Sequence, residues 1–130
     1  MNEKDIVDKI AETLDMVNDD ISFVYDTENG RIIFLNSFVD NEEIEEDDKR
    51  YLYLPTQYDI NEYSIMSDFA YSYPNENISD TLKLSLHGKG AFRKFKDTVI
   101  RLGVREKWFA YRDEQFRKIA EEWCIKNGLI

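Results

Sequence analysis

Two short apolar runs, Ile21-Ser-Phe-Val-Tyr25 and Arg31-Ile-Ile-Phe-Leu35, flank Asp26-Thr-Glu-Asn29-Gly30, and this arrangement constrains the fold more firmly than any other in the chain. Asn-Gly supplies the positive backbone angles that a tight turn needs, so the runs are predicted to pair as a β-hairpin. In the first run Ile21, Phe23 and Tyr25 alternate with Ser22 and Val24. In the second, Ile32 and Phe34 alternate with the equally apolar Ile33 and Leu35, which predicts a strand buried on both faces. Tyr51-Leu-Tyr-Leu54 alternates and stops at Pro55. Proline cannot donate to a ladder, so this run is predicted to be a third strand ending there, paired with the hairpin in a small antiparallel sheet.

Around this sheet the apolar period is helical. Residues 3–17 place Ile6, Ile10, Leu14 and Val17 on one stripe. From Asn61, the residues Tyr63, Met66, Phe69 and Ala70 recur at helical steps and end before Tyr73-Pro74, where the residue preceding proline is pushed out of the helical region. A further segment begins near Pro74, with Asn77 or Ser79 as possible caps and Ile78, Leu82, Leu84 and Leu86 as apolar contacts. It stops at His87-Gly88-Lys89-Gly90. Phe92, Phe95, Val99 and Leu102 then form a stripe closed by Gly103, leaving Arg93, Lys94, Lys96 and Arg101 largely outward. The last helix is predicted over about residues 105–126. Its stripe of Trp108, Phe109, Tyr111, Phe116, Ile119, Ala120, Trp123 and Cys124 is wide enough to require burial on more than one side. The expected class is α+β: an N-terminal helix, an antiparallel sheet of about three strands and a C-terminal bundle of about four helices. A length of 130 residues with 42% hydrophobic content fits one domain over residues 1–130.

Charge is unevenly distributed. The chain carries −10 overall, yet residues 83–118 hold eleven Lys and Arg against four acids, a local +7. An acidic face and a basic face are therefore expected. Residues 40–48 place seven carboxylates in nine positions, too much like-charge repulsion for a stable element, so they are expected to form a solvated loop. They lack the central glycine and ligand alternation of a calcium loop, and no metal is expected. No run reaches the roughly 18 apolar residues of a membrane span, and the charged N-terminus is unlike a signal peptide. A cytoplasmic protein with no membrane association is expected. The lone Cys124 reads as a packed thiol.

Gly88-Lys-Gly-Ala-Phe-Arg-Lys-Phe-Lys-Asp97 and Trp108-Phe-Ala-Tyr-Arg-Asp-Glu114 carry a resemblance. The chain resembles an uncharacterised bacterial protein family of the UPF type, whose members share Gly-x-Gly-Ala-Phe-Arg-x-Phe-Lys-Asp and Trp-x-x-[Tyr/Phe]-Arg-Asp-Glu segments. An upstream Tyr-x-x-Met-x-x-Phe, here Tyr63, Met66 and Phe69, is similar too. The resemblance covers most of the chain. It implies a shared fold and supplies no activity and no catalytic residue.

Two places can hold chemistry. Gly88-Lys89-Gly90 ahead of a helix offers free amides, a positive helix end and the cations Lys89 and Arg93, suited to phosphate or carboxylate. It matches neither a P-loop nor a dinucleotide fingerprint, and the preferred, plainer account is a helix–helix corner that needs glycine. Arg112-Asp113-Glu114 near Trp108 and Tyr111 can put a guanidinium beside an aromatic platform for stacking on a base. The preferred alternative is an internal clamp, with Arg112 paired to an acid from another element or to Asp97 and fixing the packing of the last two helices. His87 is the only histidine and has no partners for a zinc site or a catalytic triad.

The leading expectation is a non-enzymatic binding or adaptor domain engaging an anionic partner through Lys89, Gly90, Arg93, Lys96, Arg101 and Arg112, with Trp108 and Tyr111 as the platform and no cofactor. A protein partner is slightly preferred to nucleic acid or a nucleotide, because the overall charge repels polyanions at long range. The alternative from another class is a small enzyme acting on a phosphorylated metabolite, with Gly88 to Gly90 on the phosphate and Asp97, Asp113 or Glu114 as acid–base groups. A third reading gives function to the acidic loop as a partner-binding arm. The wide last stripe, with Tyr51 and Tyr53 on a sheet edge, leaves room for a homodimer.

Overall fold

The computed structural model of the chain describes residues 3–36, 44 and 48–130. The expected acidic loop at 40–48, and with it the arm reading, lies outside the described residues except for Ile44 and Asp48. The class is α+β as expected, with an N-terminal helix, a three-stranded antiparallel sheet and four C-terminal helices. By contact the chain divides into two compact units: Met1–Ile60 with Phe116–Ile130, and Asn61–Gln115. Among the described residues, no helix is long and apolar enough to cross a membrane.

In the first unit, α1 (Glu3–Leu14) buries Ile6, Val7, Ile10 and Leu14. It stops before the expected Val17. The amides of Met16 and Val17 bond to Thr13 and Leu14 at 3.0 and 3.2 Å, and Asn18 Oδ1 accepts from the amides of Asp20 and Ile21 at 2.8 and 3.0 Å. A short polar side chain that satisfies backbone donors outside a helix turns the chain toward the sheet.

The strands β1 (Ile21–Asp26), β2 (Arg31–Asn36) and β3 (Tyr51–Tyr53) are ordered β2-β1-β3, antiparallel throughout, with Asp26 opposite Arg31 and Tyr51. The hairpin forms as expected, but of its Asn-Gly pair only Gly30 takes a positive φ, 71°. The Gly30 amide donates to Asp26 O at 2.8 Å, closing a longer turn than the two-residue type. The expectation for β2 is corrected: none of its residues is fully buried, and Phe34 is half exposed. As a flank of the described sheet β2 covers less than central β1, which buries Phe23, Val24 and Asp26.

Asp26 sits in β1 with its side chain fully enclosed. Arg50 reaches it with Nε on Oδ1 and Nη2 on Oδ2, both at 2.8 Å, while Nη1 lies 3.0 Å from Glu28. Bidentate geometry compensates the cost of burying the carboxylate. The Arg50 hydrogen bond outweighs burial and, with the Glu28 and Asn29 amides, holds the Asp26 carboxyl down at about 2. A depressed carboxyl stabilises the fold above its unfolded value of about 3.9 and loses that contribution as pH falls through the folded value. Thermal melts of wild type and Asp26→Asn should therefore differ by a constant amount above about pH 4 and converge between about pH 4 and pH 2. Parallel profiles across that window would remove the ion pair from this role.

The second helix, α2 (Gln57–Ile60), is a single turn of the first unit. In the second unit, α3 (Glu62–Ser72) is capped by Asn61 and ends at Tyr73, whose extended backbone (φ −66°, ψ 127°) is what the following Pro74 requires. The α4 helix (Glu76–Ser85) is capped by Asn75 rather than Asn77 or Ser79; its side chain accepts from the Ile78 amide at 3.1 Å. Ser79 instead donates from Oγ to Ala70 O at 2.6 Å inside the protein. Leu82 and Leu86 are buried, whereas Leu84, expected as a contact, faces outward.

The last two helices are α5 (Ala91–Arg101) and α6 (Arg105–Lys126). Residues of α6 up to Gln115 belong to the second unit and the rest to the first. In the second unit, Phe95 and Trp108 rings meet edge-to-face at 4.9 Å, and Phe69 meets Trp108 at 5.4 Å. In the first, Phe116, Ala120, Trp123 and Cys124 are buried, and Trp123 Nε1 donates to Tyr53 O at 3.0 Å. Burial raises the Cys124 thiol above its ordinary pKa, consistent with packing rather than nucleophilic chemistry.

Candidate functional site: an aromatic cleft and a basic helix face

The second unit carries the expected site residues, but they do not converge. Gly90 caps α5 in the left-handed region (φ 71°) with no side-chain cap bond, and Gly88 is left-handed too (φ 79°). The first backbone bond of α5 runs from the Lys94 amide to Gly90 O at 2.9 Å, so the preceding helical amides have no intrahelical acceptor. Lys94 Nζ turns back to donate to the His87 carbonyl. A lysine bonded into the backbone of the corner agrees with the plainer account of Gly88 to Gly90.

Beyond that corner α5 presents an outer face. Lys89, Arg93, Lys96 and Arg101 are all exposed. Among these four, only Arg93 is in an ion pair with a described residue, Asp97 at 4.0 Å. Phe92 and Ile100 are exposed between them. At the start of α6 the Arg105 guanidinium lies 5.2 Å from the centroid of the exposed Phe109 ring.

Arg112 and Trp108 are elsewhere. Arg112 Nε donates to Glu62 Oε1 on α3 at 2.9 Å, with side-chain exposures of only 14% and 21%. This is the internal clamp with an acid of another element, α3, rather than with Asp97, which pairs with Arg93. Trp108 is 1% exposed, and its ring packs on Phe69 and Phe95, so it offers no face to an external base. Of the expected platform, Tyr111 alone reaches a cavity.

That cavity is a cleft of about 680 Å³. Phe69 is its buried floor, with the Tyr73 and Tyr111 ring centroids at 5.5 and 5.4 Å from the Phe69 centroid. Its α6 wall is the stripe Lys107, Ala110, Tyr111 and Glu114, the one-sided spacing of a helix. Lys107 Nζ lies 3.5 Å from Tyr73 Oη and 5.7 Å from the centroid of that ring. Burial, with Asp68 and Glu114 adding, raises the Tyr111 phenol above its ordinary pKa, so it remains an O–H donor at neutral pH. A smaller cleft of about 350 Å³ in the first unit lies along the 18–22 turn, Leu35 and Tyr58.

The Gly88–Gly90 turn lines neither of these two clefts, and of the acids Asp97, Asp113 and Glu114 only Glu114 lines one. Among the described residues no group of three or more His, Cys, Asp or Glu stands where it can hold a metal ion.

The α6 stripe was available in the sequence as residues at i, i+3, i+4 and i+7. The opposing wall was not, because it comes from the corner around Tyr73, Pro74 and Asn75. Asp26 and Arg50 were missed as a pair because 24 positions separate them.

No curated protein and no solved structure matches the chain. The model of the Uncharacterised protein family (UPF0158) matches residues 3–129, and the chain therefore belongs to that family.

Proposed function

We propose that this protein is a non-enzymatic, cytoplasmic binding module that docks an acidic protein segment on the outer face of α5. One observation carries the reading: Lys89, Arg93, Lys96 and Arg101 are exposed on or beside one helix, interleaved with exposed Phe92 and Ile100. Phe92, Lys96 and Ile100 recur every four residues on one stripe, and Arg93, Asp97 and Arg101 on the next. Exposed apolar side chains set among cations complement an amphipathic acidic segment, with the apolar contacts supplying affinity and the charges orientation and association rate. The overall charge of −10 repels long polyanions, which favours a protein segment over nucleic acid.

The test is fluorescence anisotropy of a synthetic acidic amphipathic peptide with the wild type and with the triple variant Arg93→Glu, Lys96→Glu, Arg101→Glu. The variant should bind at least about tenfold more weakly, and wild-type binding should weaken with added salt. Circular dichroism melts must show the variant folded, as exposed substitutions allow. Unchanged affinity in a folded variant sinks the reading.

A further inference from the structure

The cleft between the α3–α4 corner and α6 is separate from the charged face of α5 and carries its own chemistry. We propose that it binds a small planar aromatic anion, its ring held between Tyr73 and Tyr111 over Phe69 and its charged group at Lys107. The volume of about 680 Å³ falls within the several hundred Å³ usual for small-molecule sites. Three rings line it. Phe69 is buried beneath two half-buried tyrosines, and a flat ligand ring meets such walls in edge-to-face or offset stacking.

The position of the anion follows from the two ends of the α6 wall. Lys107 makes no ion pair with a described residue, and its ammonium stands 3.5 Å from the Tyr73 hydroxyl. Ammonium and phenol together offer an anionic group two adjacent donors. Glu114 lines the same cleft seven residues further along α6, about 10 Å along the helix axis. Lys107 is the cation of the cleft lining, which makes its end of the wall the anchor. Ala110 lies between them, small and exposed, so the wall is open where a ring must enter.

Two sources share this chemistry, a nucleoside monophosphate and an aryl carboxylate, and one experiment separates them. The full-length ¹⁵N-labelled chain is titrated with adenosine monophosphate, indoleacetate, uncharged adenosine and inorganic phosphate, following amide resonances. Either aromatic anion should move the signals of residues 72–78 and 107–114 saturably, with a Kd of roughly 10 μM to 1 mM. The tighter of the two names the source, and equal binding supports the class.

Adenosine and inorganic phosphate should each bind at least about tenfold more weakly, because each lacks one half of the recognition. Lys107→Ala should weaken the anion about tenfold and leave adenosine unchanged. Ala110→Trp fills the cleft from an exposed helical position without disturbing the fold, and should abolish binding. Absence of saturable shifts with both aromatic anions, phosphate binding as tightly as adenosine monophosphate, or binding that survives Ala110→Trp overturns the proposal. Each result stands apart from the α5 reading, because none of the residues involved lies on that face.

Discussion

Trp108→Ala should destabilise the protein by about 3–5 kcal/mol in urea unfolding, while Phe109→Ala, one residue along, should cost no more than about 1 kcal/mol. The contrast follows from helix geometry: successive residues of α6 point about 100° apart. Trp108 is 1% exposed and Phe109 44%. Truncating Trp108 removes the partner of Phe69 at 5.4 Å and of Phe95 at 4.9 Å, leaving a cavity among rings that cannot collapse fully. Phe109 loses chiefly the Arg105 guanidinium over its ring. Since domains of this size are stable by only about 5–15 kcal/mol, Trp108→Ala removes a large share of the total. Similar losses for the two variants would mean that α6 is rotated from the register described. The prediction also separates two uses of the tryptophan, because a residue acting only as a platform for a base would lower ligand affinity and leave the unfolding midpoint in place.

Features governed by near neighbours were legible in the sequence. Gly30 marks the hairpin, Pro74 ends α3 at Tyr73, and Gly103 separates α5 from α6, each through a backbone restriction acting over a few residues. Leu84 was misread as a contact although the same local geometry places it outward: two positions along a helix rotate it about 200° from Leu82, whereas Leu86 returns to the buried side. Trp108, Tyr111 and Arg112 likewise share a stripe at i, i+3 and i+4, and Trp108 and Arg112 prove to be engaged inside the second unit. What the sequence could not show is non-local. The apolar run of β2 implied double burial, but its flanking place depends on β3 pairing with β1 instead. The cleft needs the corner around Pro74 brought opposite Lys107 and Glu114, a contact no local period encodes.

Arg112 gives the sharpest test of whether the Trp108–Glu114 segment serves stability or ligand binding. Its Nε–Oε1 bond to Glu62 is 2.9 Å long between side chains only 14% and 21% exposed, so truncating Arg112 leaves the Glu62 carboxylate poorly solvated. Arg112→Ala should lower unfolding stability by about 2–4 kcal/mol, and Glu62→Gln by about 1–3 kcal/mol. Because both variants remove the same charge-assisted pairing, the double variant should cost less than the sum, with a coupling of about 1 kcal/mol or more. Arg112→Lys should recover only part of the loss, since an ammonium keeps the charge but not the directional Nε–H donor of the planar guanidinium. If the singles add without coupling, the pair is not a clamp. If Arg112→Ala leaves stability within about 0.5 kcal/mol of wild type yet weakens the binding of an aromatic anion in the neighbouring cleft, the arginine belongs to the ligand site, and the second unit must open toward Glu62 when that ligand enters.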